Sequence, residues 1–213
     1  MEHFELDRTD EEREELVKQW IKDYWLMLVI VVLGAIGAVY GLNYFKQAKL
    51  NALNEVANKT QLVGKNLQEG KINAAQTLVT ALQTNEKDSS FSTLATLSLA
   101  QTYFNDKDYN QAIRQYDWLI AQSGDMAMRD LARLRKARVQ ADAKQTQAAV
   151  ETLNAVEDKT YLPNAYLLKA DILLADKQFA EAQKAYQAIP KNQQINQNLI
   201  DQRLELLNIM QQQ

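Results

Sequence analysis

The chain has no cysteine, one histidine (His3), six glycines and two prolines in 213 residues. Without thiols and with a single imidazole there is no disulfide framework, no thiolate zinc site and no Cys–His or Ser–His pair of the kind that drives covalent catalysis. Glycine and proline fall well below their usual shares of about 7% and 5%. Breakers this sparse leave no glycine-rich phosphate loop and favour an almost wholly helical chain. An excess of either charge is missing too: 24 Lys and Arg stand against 27 Asp and Glu. That balance carries no electrostatic footprint for nucleic acid.

The near-balance hides an uneven distribution. Residues 1–23 hold nine acids and four bases, a net of −5, whereas the rest of the chain carries a net of +2. Thr9-Asp-Glu-Glu12 has the form of a capping box, and Leu16, Val17, Trp20, Ile21 and Tyr24 come after it at helical spacing. Residues 1–23 therefore read as an acidic segment with an amphipathic helix that runs on into an apolar stretch.

Residues 24–45, YWLMLVIVVLGAIGAVYGLNYF, are 22 positions without a charge. At about 1.5 Å per residue they span roughly 33 Å, which matches a hydrocarbon layer of about 30 Å. Trp20, Tyr24 and Trp25 lie at one end, and Tyr40, Tyr44 and Phe45 at the other, where amphipathic rings favour the interface. A cleaved signal peptide has a shorter apolar core behind a basic leader, so the segment reads as a permanent anchor. Charge does not orient it: residues 4–23 and 46–65 carry four bases each. Gly34, Gly37 and Gly41 form a smooth helix face that admits close approach of a second membrane helix.

Residues 46–213 contain no long apolar run but repeat themselves. Ala75, Ala112, Ala149 and Ala182 recur along the chain in steps of 37, 37 and 33. Three residues before each stands Ile72, Tyr109, Thr146 or Phe179; four after stands Val79, Tyr116, Leu153 or Tyr186. A small residue where two helices cross, flanked by bulky fillers at this period, is the signature of a tetratricopeptide repeat. Leu99, Ala100 and Tyr103 supply the matching first half in the second unit, while Ala137, Tyr166 and Ala170 supply fragments of it later. Residues 195–210 have the pattern of a polar-backed helix closing the solenoid. The expected fold is all-α: an N-terminal transmembrane helix followed by a tetratricopeptide-like helical-repeat solenoid over 46–213.

This organisation resembles the YfgM family, ancillary subunits of the bacterial Sec translocon. The likeness is most specific in FSTLATLSLAQTYFNDKDYNQA (91–112) and RLRKARVQADAKQTQAAVETL (133–153). The resemblance implies an inner-membrane protein with residues 1–23 in the cytoplasm and the repeat domain in the periplasm. It further implies association with the SecYEG channel and with a membrane-anchored periplasmic chaperone of the peptidyl-prolyl isomerase type; whether the groove takes client polypeptides or a fixed partner is left open by the sequence. Regulation of an envelope-stress phosphorelay is also attached to the family, and a scaffold for another envelope assembly is a third reading of the same architecture.

No catalytic, cofactor or metal constellation is visible. The acids Asp106, Asp108, Asp125, Asp130, Glu157 and Asp158 read as turn or helix-start residues. Setting the repeats in register places Leu97, Gln101 and Phe104, then Leu134 and Arg138, then Leu167, Asp171 and Leu174 on the concave face as partner-binding candidates. Arg133, Arg135, Lys136 and Arg138 read as a solvated basic face, with an acidic-peptide or lipid contact as the alternative, and Trp118 as inter-helix packing rather than a binding hot spot.

Overall fold

The computed structural model describes residues 10–190 and 195–211; residues 1–9, among them His3 and Thr9, lie outside them. The described residues contain helices and turns with no strand. In chain order the helices are α1 (Asp10–Gln68), α2 (Ile72–Asn85), α3 (Ser90–Asn105), α4 (Tyr109–Gln122), α5 (Met126–Asp142), α6 (Thr146–Asn154), α7 (Leu162–Ala175), α8 (Phe179–Gln187) and α9 (Gln197–Gln211). The chain divides into two compact units, Met1–Glu55 and Val56–Gln213.

The first unit consists, within the described residues, of α1 up to Glu55. Its apolar side chains are exposed: Leu26, Ile30, Leu33, Val39 and Leu42 are all more than half accessible. A helix that is apolar around its circumference and buries nothing within its own unit suits a membrane rather than a protein core. The stretch Val29–Gln68 is the one helix among the described residues long and apolar enough to cross a membrane, its most apolar 18-residue window having mean hydropathy 1.6. Gly34, Gly37 and Gly41 have no heavy atom within 4 Å of an added Cβ, so among the described residues nothing covers them.

The second unit is the repeat array, and its register follows the alanines. Ala75, Ala112, Ala149 and Ala182 are each fully buried, and Val79, Tyr116, Leu153 and Tyr186 are buried beside them. Ile72, Tyr109, Thr146 and Phe179 are the first residues of α2, α4, α6 and α8. On the preceding helices Ala100, Ala137 and Ala170, also fully buried, give the closely packed partner positions, and Val63 of α1 does the same for the first pair. Larger side chains at these crossings have nowhere to go. Ala112→Leu or Ala182→Leu is expected to cost about 1–3 kcal/mol through overpacking, measured by urea unfolding of the full chain in neutral detergent. An unchanged midpoint in both variants would displace this register.

Each A-to-B hairpin closes in the same way. Gly70, Lys107, Lys144 and Lys177 have positive φ angles between 60° and 72°, and they recur with the repeat. The N–H groups of Lys71, Asp108, Gln145 and Gln178 each donate five residues back, to Asn66, Tyr103, Gln140 and Leu173. These are Schellman closures, which satisfy the orphan carbonyls at a helix end. Only the first uses glycine. In the other three a lysine accepts the left-handed conformation at a cost of roughly 1–2 kcal/mol, offset in part by placing a cation at a helix C-terminus.

Polar ties join successive helices. The Gln83 amide donates to Thr96 Oγ1 at 3.1 Å and to Gln115 Oε1 at 2.9 Å, linking α2, α3 and α4. Thr152 donates to Gln140 Oε1 at 2.8 Å between α6 and α5. The core falls into three clusters, of which the first runs from α1 to α5 with Trp118 packed against it, as its spacing anticipates. The terminal helix buries Ile200 and Leu207. Its outer side is mainly polar, with Asn198, Asp201, Gln202, Glu205 and Asn208 exposed, but it also bears the exposed apolar residues Leu199, Leu206 and Ile209.

Candidate functional site: a groove between α5 and α7

Register positions on α5 and α7, the first helices of the third and fourth repeats, converge on one surface. On α5, Leu131, Leu134, Arg135 and Arg138 occupy one face; on α7, Asn164, Leu167, Leu168 and Asp171 occupy the equivalent face one repeat later. Both sets follow the i, i+3, i+4, i+7 spacing of a single helix side. Together they line a cavity of about 330 Å³. The candidates Leu134, Arg138, Leu167 and Asp171 therefore share one site. A second cavity of about 340 Å³ continues it from Arg138 and Asp171 towards Ala141, Asp142 and Asp176. Leu97 lines a separate cavity of about 470 Å³ together with Leu94 and Met128.

The other three candidates lie elsewhere. Gln101 is exposed and its amide donates to Asn105 Oδ1 at 2.9 Å, one turn along α3. Phe104 packs against the first core cluster with its ring 6.2 Å from that of Tyr109. Leu174 is 7% exposed and belongs to the core around Tyr186. Phe104 and Leu174 stand at the last turn of their helices, where the chain folds back and the incoming helix covers that face.

Asp171 is an internal tie as well as a groove residue. Its Oδ1 accepts from the Tyr186 hydroxyl of α8 at 2.5 Å and lies 3.5 Å from Arg203 Nε of α9. Burial, then the hydrogen bond and the negative charge of Asp171, push the Tyr186 hydroxyl well above the ordinary tyrosine range.

One residue read as a turn acid is something else. Asp130 lies within α5 and is fully buried. Its carboxylate accepts from Arg133 on the same helix, while Oδ2 accepts from the backbone N–H groups of Glu157 at 2.9 Å and Asp158 at 2.7 Å. Burial alone would raise this carboxyl; the two amides and Arg133 outweigh it and hold the group below its usual value. Asp130 thus pins the α6–α7 connection to α5. The Arg133 spacing was visible in the sequence, but the amide donors, beyond the far end of α6, have no sequence mark.

The basic cluster divides in two. Arg133 pairs with Asp130, and Lys136 Nζ lies 2.6 Å from Asp117 on α4. Arg135 and Arg138, on the groove side, are exposed and form no ion pair among the described residues. No group of His, Asp and Glu among the described residues is arranged to hold a metal ion.

Comparison with known families matches residues 18–209 to the tetratricopeptide repeat-like domain. The chain belongs to that family. Among curated proteins it is similar to the ancillary SecYEG translocon subunit of Aggregatibacter actinomycetemcomitans, 29% identical over 202 residues, covering 93% of this chain and 98% of that protein. The same name is carried by a relative in Escherichia coli K12, 25% identical over 86% of this chain and 88% of the relative. A Haemophilus influenzae relative of that name is 21% identical over 92% and 98%. No solved structure gives a significant match. Within this family the paired helices form an open surface for binding, which favours an adaptor over an enzyme.

Proposed function

We propose that the chain is a membrane-anchored, non-catalytic adaptor at the Sec translocon, with residues 1–23 in the cytoplasm and residues 46–213 in the periplasm. It holds a membrane-anchored periplasmic chaperone of the peptidyl-prolyl isomerase type beside the channel and so assists export. The observation that carries this reading is the combination of one lipid-suited helix with a repeat array whose groove stays open, in a chain whose relatives are named as translocon subunits. An anchored groove needs little intrinsic affinity, because tethering raises the effective concentration of any partner in the same membrane by about 10²–10⁴ when geometry allows.

Two measurements test it. Protease added to spheroplasts is expected to digest the repeat domain, and clipping of residues 1–23 alone would reverse the topology. Affinity purification of the tagged full chain from detergent extracts is expected to recover channel subunits together with the chaperone. Recovery of a cytoplasmic response regulator in their place would move the function to envelope-stress signalling.

A further inference from the structure

Helix α5 carries five bases, and three of them are satisfied within the protein. The Arg129 guanidinium donates to the Ser123 carbonyl at 3.0 Å, Arg133 pairs with Asp130, and Lys136 pairs with Asp117. Arg135 and Arg138, which have no ion pair among the described residues, are the two that line the α5–α7 cavity. Arg135 has a neutral neighbour, the Tyr116 hydroxyl. Arg138 has no hydrogen bond or ion pair among the described residues.

The floor beside them is apolar: Leu131, Leu134, Leu167 and Leu168, each half-buried. The one acid in the cavity, Asp171, already has its Oδ1 engaged by Tyr186 and faces Arg203. Further acids, Asp142 and Asp176, stand with Lys144 in the adjoining cavity beyond Arg138. The groove therefore sets two arginines over the leucine floor, while past it acids outnumber bases. A ligand that matches it has leucine-type side chains for the floor and a carboxylate for the arginine pair.

We propose that the α5–α7 groove is a docking site for a short acidic, leucine-bearing segment of a partner protein, whose carboxylates pair with Arg135 and Arg138 while its apolar side chains fill the floor. The proposal rests on the adaptor reading only in assigning the groove a protein partner. Charge complementarity sets orientation as well as choice: the acidic part of the segment lies over Arg135 and Arg138 rather than over Asp142 and Asp176. Exposed arginine–carboxylate pairs contribute modestly, so selectivity comes from requiring both features together.

The test uses the purified full chain in neutral detergent and labelled peptides of about a dozen residues, long enough for one helical groove ligand, read by fluorescence anisotropy. One peptide is built from leucine, alanine and glutamate, a second has lysine for glutamate, and a third has serine for leucine. The glutamate–leucine peptide is expected to bind about tenfold or more tightly than either of the others, with affinity falling as salt rises. The double variant Arg135→Gln with Arg138→Gln is expected to lose that preference, while Arg114→Gln, a charge change on α4, keeps it. Equal binding of the glutamate and lysine peptides by the unaltered chain overturns the proposal whether or not the double variant folds. Displacement of the peptide by phosphatidylglycerol in mixed micelles also overturns it, assigning the arginines to a lipid surface. Because channel subunits take no part in this assay, its failure strikes the groove and leaves translocon association to the purification experiment.

Discussion

Replacing Asp130 with alanine is expected to destabilise the repeat domain by about 3–5 kcal/mol, a large share of the roughly 5–15 kcal/mol that holds a domain folded. The substitution does three things at once. It leaves the Arg133 guanidinium, 14% exposed, without its nearest counter-charge, since Glu157 lies 3.9 Å from it and is itself open to water. It strips the Glu157 and Asp158 amides of their acceptor, and it opens space within a packed helix. Urea unfolding of the full chain in neutral detergent measures the loss. Asp130→Asn retains the shape and one acceptor and is expected to cost less.

The same carboxylate sets an acid limit. Its value in the folded protein lies below the ordinary 3.8. The stabilisation is therefore complete above that ordinary value and disappears as pH falls through the lower folded value. Unfolding midpoints followed downwards from neutrality should decline more steeply in the unaltered chain than in Asp130→Asn. Parallel curves would remove Asp130 from the acid limit.

The second large effect is expected at Tyr186. Truncation to alanine removes a fully buried ring from the junction of α7, α8 and α9, and is expected to cost about 3–5 kcal/mol. Tyr186→Phe keeps the ring and loses only the bond to Asp171. Because Asp171 is partly open to solvent, water replaces that donor and the expected cost is about 1 kcal/mol. The hydroxyl also titrates above its usual 10.0, so its contribution is present below that pH and fades as pH rises through the folded value. A phenylalanine variant as unstable as the alanine variant would mean that the bond, rather than the ring, holds the junction.

What the sequence made legible was the local part of the design. The four buried alanines and the residues three before and four after them lie within one helix each, so their spacing alone sets which face turns inward. The groove positions Leu134, Arg138, Leu167 and Asp171 came from that same register. Phe104 and Leu174 did not behave like their counterparts, because at a helix end burial depends on the next helix rather than on spacing. Asp130 was opaque for a related reason: its decisive partners are backbone amides, and any residue supplies those. Lys107, Lys144 and Lys177 gave no sign of a left-handed conformation, since glycine is the residue that ordinarily announces it. The orientation of the membrane helix was illegible because equal numbers of bases flank it.

The Asp130 lock also bears on the order in which this domain is made. Apart from α5 with α7, the helices in broad contact are consecutive along the chain. Such a chain, emerging N-terminus first from a ribosome or a channel, can close one hairpin after another without waiting for its far end. The α5 helix is the exception. Its buried carboxylate has Arg133 beside it from the start but gains its two amides only once α6 and the loop at residues 157–158 have emerged, so α4 and α5 meet while that acid still lacks them. Synthesis paused before residue 158 leaves a charged group at an unfinished edge, open to water or to a chaperone, and release of the next few residues is what shuts it.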